Sequence, residues 1–285
     1  MDRKPSLLES ALVHTVLLLA VGFAVYPILW VISLAFSESG LSASSGALPV
    51  PHDPSLANFR AVTGVREGGD GGTLFLIQLG NSLVVSLATA FVAVVIATPA
   101  AYALARFEFV GKKAGMSTLL ATQMFPTVAS AVPLYLLLET LHLLDSRAGL
   151  VLVYATTSVP FAIFQLRGSF ETIPVELEEA AMVDGATRAQ AFLRVVLPAA
   201  RPAIAVTALF AFMSAWNEFI LAATLLSRET AFTLPVLLQR FVGEHDAAWG
   251  PFAAGAILVS VPVMALFYLA QKQLVGGLTA GGVKG

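Results

Sequence analysis

Apolar residues fill six long stretches of the chain, approximately 11–36, 74–105, 116–138, 148–166, 203–226 and 251–271, and polar residues collect between them. A helix needs about 20 mostly apolar residues to cross the hydrocarbon core of a bilayer, and each run is close to or beyond that length. The pattern predicts an all-α polytopic membrane protein with six transmembrane helices. The first run follows Met-Asp-Arg-Lys, but its about 26 residues exceed the roughly 7 to 15 of a signal-peptide core, so it reads as a retained span. Pro27, Pro99, Pro126, Pro133, Pro160 and Pro262 fall within the runs. Helices in lipid tolerate proline where neighbours satisfy the freed carbonyls, and these positions read as kinks.

One polar interruption carries strong helix signals of its own. Residues 168–202 contain EAAMVDGATRAQAFLRVVLP, from Glu179 to Pro198. Pro174 suits the first turn of a helix, Glu176, Glu178 and Glu179 complement its positive end, and Gly185 is placed to terminate it. Thr187 and Gln190 have capping-box spacing for a second helix. On that helix Ala189, Phe192, Leu193 and Val196 share a face until Pro198 stops it. On the first helix Leu177, Ala180, Ala181 and Asp184 form one stripe, with Glu176, Glu179 and Val183 beside it. Small residues that permit close approach, edged by charge, suit a short helix docking into a groove of another protein. A hairpin packed only on its own bundle has the same amphipathicity, so the pattern leaves both open.

Charge orients the chain. Six spans put both termini on one side. Eleven Lys and Arg, among them Arg3, Lys4, Arg106, Lys112, Lys113 and Arg194, fall in the segments on that side, against Arg60, Arg66, Arg147, Arg228 and Arg240 on the other. The positive-inside rule then predicts that both termini, the 168–202 segment and the 272–285 tail are cytoplasmic. The outer loop at roughly 37–73, rich in Gly, Pro and Ser, reads equally as a contact for an external partner or as a linker.

Composition narrows the chemistry. The 285 residues are 57% hydrophobic and 12% charged, with a mean hydropathy of +0.83; soluble domains carry about twice that share of charge. The chain belongs in a lipid bilayer, and its net charge of −2 provides no basic surface for nucleic acid. The absence of cysteine excludes disulfides and thiolate metal sites. His14, His52, His142 and His245 are scattered and form no HExxH pair, so no metal site is expected. No GxxxxGK[ST] loop is present. Gly277 and Gly282 have its spacing but lead into Val283-Lys284-Gly285, and Val110-Gly111-Lys112-Lys113 lacks the upstream glycine and the hydroxyl. The chain should bind no nucleotide and contain no catalytic residue. Ser169, in Arg167-Gly168-Ser169-Phe170, has no histidine partner for an intramembrane hydrolase.

Ionisable groups within spans are costly and so are functional candidates. His14 and Glu139 lie near span ends, whereas Glu218 sits with Ser214, Trp216 and Asn217 in the fifth run. These four could offer a solute an aromatic platform and hydrogen bonds along a translocation pathway, with Asn81, Gln123 and Thr127 as further candidates. An interhelical contact or gating is the favoured role for Glu218 over direct ligand binding.

The spacing E-A-A, three residues, G, nine residues, V-x-L-P, present as Glu179-Ala180-Ala181, Gly185 and Val195-Val196-Leu197-Pro198, resembles the signature of binding-protein-dependent ABC importer permeases. AYALARFEFVGKK (101–113), QMFP (123–126), LEEAAMVDGAT (177–187), AWNEF (215–219) and GLTAGGVKG (277–285) extend the resemblance to carbohydrate permeases, closest to the smaller membrane subunit of maltose/maltodextrin importers. The resemblance implies one ABC-permease transmembrane domain over 1–285 in a bacterial cytoplasmic (inner) membrane. It implies a second homologous permease, a homodimeric cytoplasmic ATPase that binds ATP and Mg, and an extracytoplasmic sugar-binding protein. It makes 168–202 the coupling segment, with Glu179, Ala180, Ala181, Asp184, Gly185, Leu197 and Pro198 facing or shaping the ATPase contact. The tail would reach between the ATPase subunits, and Gly243, Glu244, His245, Asp246 and Trp249 would meet the binding protein. The implied solutes are maltose, maltodextrins or trehalose, most of the sugar contacts falling to the other permease; a polyol or phosphorylated solute also fits. An ion-coupled secondary transporter, the competing reading, calls for inverted repeats and charged midplane residues, and neither is evident.

Overall fold

Helices account for nearly all of the regular structure. In chain order they are α1 (Leu7–Ala35), α2 (Ala57–Thr63), α3 (Gly71–Arg106), α4 (Lys112–Gln123), α5 (Thr127–Thr140), α6 (Arg147–Glu171), α7 (Glu176–Val183), α8 (Arg188–Ala191), a π turn (Phe192–Val196), α9 (Leu197–Ala199), α10 (Arg201–Trp216), α11 (Ile220–Leu225), a 3₁₀ turn (Glu229–Ala231), α12 (Leu234–Gln239) and α13 (Trp249–Gly282). The structure, a computed structural model, describes residues 7–38, 48–51, 53–64, 71–243 and 247–282, and at 71–73 and 272–282 only the helix path. Much of the 37–73 loop therefore lies outside the described residues, although α2 and an isolated Ser37–Pro54 bridge fall within it.

Among the described residues α1, α3, α6 and α13 are long and apolar enough to cross a membrane. Two further pairs are bent, α4 with α5 by 96° and α8–α9 with α10 by 72°, giving up to six spans if each pair counts as one. Three expectations change here. The 116–138 run is not one helix, because it breaks at Met124–Pro126, where Pro126 takes an extended ψ of 123° and has no amide hydrogen to continue the ladder. The 203–226 run divides as well, α10 ending at Trp216 and α11 restarting at Ile220. Pro198 does not stop the second hairpin helix, because the π turn before it has Leu197 N–H donating to the Phe192 carbonyl. The wider turn relieves the clash between a proline ring and the preceding carbonyls, and the bend falls after Ala200 instead. The prolines at 27, 99, 133, 160 and 262 lie inside helices.

The chain divides into two units, one from Met1–Leu76 and Leu238–Val261, the other from Ile77–Leu237 and Pro262–Gly285. In the first, α1 is apolar on every side and largely exposed. Its last turn is held by Asn58 of α2, whose side-chain amide donates to the carbonyls of Leu34, Ala35 and Ser37 at 3.3, 3.1 and 2.9 Å. Gly250 at the start of α13 packs so closely that a Cβ there would stand 2.6 Å from the Asn58 amide nitrogen.

Among the described residues of the second unit, two buried clusters share α6. One joins Leu138 of α5 and Leu150 and Tyr154 of α6 to Leu221 and Leu225 of α11. The other joins Ala97, Ala101 and Tyr102 of α3 to Leu166 and Phe170 of α6 and to Val196 and Ala200. Small residues on α3 let its backbone come close, as is usual where helices meet in lipid. The start of α6 is capped by Ser146, whose Oγ accepts from Gly149 N at 3.0 Å. Just before it, Asp145 (φ 54°) accepts from the amides of Ser227 at 2.6 Å and Arg228 at 3.0 Å. Burial pushes the Asp145 carboxyl up, but these amides and the Arg228 charge outweigh it and hold the group below its ordinary value.

Gly149 is a tight point in this packing. A Cβ there would run into the Leu143 carbonyl oxygen and stand 3.1 Å from Ser146 Oγ. Gly149→Ala should destabilise the solubilised protein by about 1–3 kcal/mol, the usual cost of overpacking. Gly168→Ala on the same helix, where a Cβ meets nothing within 4 Å, should not. Thermal unfolding of both variants in one detergent tests this, and equal midpoints would refute it.

Candidate functional site

The polar segment forms a helical hairpin whose joint is built from local signals. Gly185 has φ +91°, the left-handed conformation that glycine adopts without a Cβ penalty. Its N–H donates to the Met182 carbonyl at 3.1 Å and that of Ala186 to the Ala181 carbonyl at 3.0 Å, the paired bonds of a Schellman ending. Two residues on, the capping box forms in full: Thr187 Oγ1 accepts from Gln190 N at 3.3 Å, and Gln190 Oε1 accepts from Thr187 N at 2.8 Å. Glu179, Ala180, Asp184 and Gly185 are exposed, and Ala181, Leu197 and Pro198 are half-buried. Leu177 and the 87% exposed Val183 add apolar surface beside them. On the second helix the predicted face divides, with Val196 fully buried and Leu193 exposed.

The buried residue of α7 is a carboxylate. Glu178, 3% exposed, accepts from Tyr102 Oη at 2.7 Å and from Arg106 Nε at 2.5 Å, while Arg106 also donates to the Ile173 carbonyl at 2.8 Å. Both carboxylate oxygens are thus matched by donors from the last turn of α3, as a buried charge requires; removing one partner of such a pair costs about 3–5 kcal/mol. Tyr102 is clasped by Phe192 and Phe170, with ring centroids 4.4 and 6.1 Å away. Beyond it the Arg188 guanidinium lies 5.2 Å from the centre of the Phe107 ring. The exposed Glu108 carboxyl is held below its ordinary value by the Lys112 hydrogen bond and charge. Glu178 belongs to neither stripe drawn on α7 from the sequence, and its partnership with α3 is absent from that reading. The available signal is Tyr102 and Arg106, four residues apart on one face at the end of an apolar run.

A second feature is a cavity of about 540 Å³ bordered by both helix breaks. Gln123, Thr127, Ser214, Asn217 and Glu218 line it, joined by Thr157, Ser158 and Thr207 and by the edge-to-face pair Phe161–Phe210. Irregular backbone at membrane depth is tolerated where it lines a cavity or is buried in protein. Glu218 is engaged structurally: its carboxylate accepts from the amides of Leu221 and Ala222 at 2.8 and 3.0 Å, capping α11, and from Tyr154 Oη at 2.8 Å. Two expected pathway residues lie elsewhere. Trp216 is 1% exposed and stacked on Phe212, because consecutive helical residues point about 100° apart, so the aromatic surface of the cavity is Phe161 and Phe210. Asn81 is buried and ties α3 to the 230–232 segment.

Of the remaining candidates, Gly243 is exposed and Trp249 is 41% exposed, packed edge-on against Phe252, while Glu244, His245 and Asp246 lie outside the described residues. His14 is exposed on α1, its Nδ1 2.6 Å from the Ser10 carbonyl. Among the described residues no group of three His, Cys, Asp or Glu could hold a metal ion.

The chain is similar to the trehalose transport system permease protein SugB of Mycobacterium tuberculosis, at 37% identity over 94% of this chain and 95% of that protein. It is also similar to the maltose/maltodextrin transport system permease protein MalG of Vibrio vulnificus, at 36% identity over 95% of each. Its fold matches a chain of a bacterial ABC transporter involved in the import of the acidic polysaccharide alginate, with a TM-score of 0.74, 25% identity and coverage of 95% of this chain and 99% of that one. Residues 93–278 match the model of the binding-protein-dependent transport system inner membrane component. That stretch takes in the end of α3, both helix breaks, the cavity and the whole hairpin, and the chain belongs to this family of transport-system inner membrane components.

Proposed function

We propose that this chain is a permease subunit of an ATP-driven, binding-protein-dependent importer of oligosaccharides, forming half of the translocation pathway. The carrying observation is the hairpin. It combines an exposed small-residue and apolar face, edged by Glu176, Glu179 and Asp184, with a rigid glycine joint, in a chain that has no phosphate-binding loop. Such a surface suits a cleft in a separate ATPase, which would bind ATP and Mg. In this reading α4 with α5 and α10 with α11 each make one span, both termini and the hairpin with α8 and α9 are cytoplasmic, and the charge distribution supports that orientation. A second permease completes the pathway, and a sugar-binding protein docks on the opposite side near Gly243 and Trp249.

The cavity supports a carbohydrate solute. Hydroxyl and amide groups from Gln123, Thr127, Ser214 and Asn217 stand beside the Phe161–Phe210 rings, a combination that suits a sugar's polar rim and apolar face. The two relatives named above are permease proteins of a trehalose and of a maltose/maltodextrin transport system. Reconstituted with the second permease, the ATPase and the binding protein, the complex should hydrolyse ATP faster when maltose or trehalose is supplied. Failure of the purified chain to retain any soluble ATPase, or solute accumulation driven by an ion gradient without ATP, would overturn this function.

A further inference from the structure

We propose that Glu178, Arg106 and Tyr102 form the joint through which movement of the hairpin is passed to the membrane helices, with Glu178 as its positioning residue. The inference rests on the reading of the hairpin as the ATPase contact. Three hydrogen bonds from side chains at the end of α3 hold the start of the hairpin: Tyr102 Oη and Arg106 Nε donate to the two oxygens of Glu178, and Arg106 also donates to the Ile173 carbonyl just before α7. The Arg106 and Glu178 side chains are only 6% and 4% exposed, so water has little access to compete for these bonds.

The arrangement separates two tasks on one short helix. Leu177, Glu179 and Ala180 face outward, free for a partner, while Glu178 points the other way and is wholly occupied by α3. From α3 the route continues through the core that Ala101 and Tyr102 share with Leu166 and Phe170 of α6. About two to three and a half turns back along α6, Thr157 and Ser158 line the cavity. A displaced hairpin thus pulls on α3 through a buried, charge-assisted link, and α3 and α6 move with it. Losing the carboxylate leaves the docking face in place but cuts the transmission.

The test uses the complete importer in lipid nanodiscs, with two readouts: the ATPase retained on purification, and the ratio of solute-stimulated to basal hydrolysis. Glu178→Gln should retain the ATPase while the ratio falls by roughly fivefold or more, the scale of a typical coupling between sites. Tyr102→Phe, which removes a single hydroxyl, should lower the ratio less, and it decides the matter if Glu178→Gln fails to assemble. Because the chain has no native cysteine, Arg106→Cys with Glu178→Cys can be joined by a short bis-thiosulfonate. The joined protein should regain the ratio and lose it again on reduction, which a role in folding alone would not produce. An unchanged ratio in these variants with the ATPase retained, or no recovery on cross-linking, overturns the joint alone. A wild-type chain that retains no ATPase overturns the docking reading, and the joint with it.

Discussion

Replacing Gly185 with leucine is expected to lower solute-stimulated ATP hydrolysis by the assembled importer roughly 5- to 30-fold while leaving membrane insertion intact. The residue holds φ +91°, where an L side chain costs about 1–2 kcal/mol, and a change of that size shifts an equilibrium by the stated factor. Crowding at the Cβ does not contribute, since a Cβ at 185 meets nothing within 4 Å. The strain is relieved by unwinding the last turn of α7 or by turning the capped start of α8, and either movement displaces the exposed residues of the proposed docking face. Gly185→Asn, which tolerates the left-handed region better than other non-glycine residues, should retain most of the stimulation. Glu179→Lys leaves the backbone unchanged and reverses an exposed charge at the edge of the same face, so it should weaken ATPase retention. Retention and stimulated hydrolysis measured side by side test both effects, and normal values in Gly185→Leu and Glu179→Lys would remove the hairpin from the coupling role.

The hairpin is legible in sequence because its signals are local. A capping box needs residues three apart, and a left-handed terminus needs one glycine; Thr187, Gln190 and Gly185 form those bonds as the spacing predicts. The long apolar runs are legible for a similar reason, since length and composition suffice to mark α1, α3, α6 and α13. The breaks are not, because a proline in a run reads equally as a kink, and the polar pair Asn217-Glu218 reads equally as pathway residues on an unbroken span. Glu178 is missed for a different reason. The stripes drawn on α7 follow apolar and small residues, whereas the buried side of this helix is a carboxylate whose partner lies 72 positions earlier in the chain. Long-range pairing also separates the pathway candidates. Gln123, Thr127, Ser214, Asn217 and Glu218 meet at one cavity, but only the tertiary fold reveals that Trp216 turns away from it and that Tyr154 shares the Glu218 carboxylate.

Asn81→Leu is expected to be among the most destabilising single changes in the second unit, and it separates a structural role from a pathway role. The side chain is 1% exposed. Its amide nitrogen donates to the carbonyls of Thr230 and Phe232 at 2.9 and 3.0 Å, and its oxygen accepts from Arg147 Nε at 2.8 Å. Gln78, one turn earlier, donates to the Glu229 carbonyl at 2.9 Å, and Ser82 accepts from Leu234 N at 2.7 Å. One polar face of α3 therefore holds the 229–234 segment, and Asn81 makes the most bonds in it. Leucine fills a similar volume but meets none of the three partners. Each stranded buried polar group costs about 1–3 kcal/mol, more where it is charged, so three of them total about 3–9 kcal/mol. For a chain of this size that corresponds to a drop in the unfolding midpoint on the order of 10 °C. The loss should appear first as faster proteolysis between Leu226 and Leu234 in the solubilised protein, since the segment loses its anchor before the core around Leu138 and Tyr154 opens. Assembled complexes that survive should keep the solute preference and KM of the wild type, because Asn81 does not reach the cavity of Gln123 and Asn217. A wild-type midpoint combined with an altered KM would return Asn81 to the pathway and contradict the anchoring role.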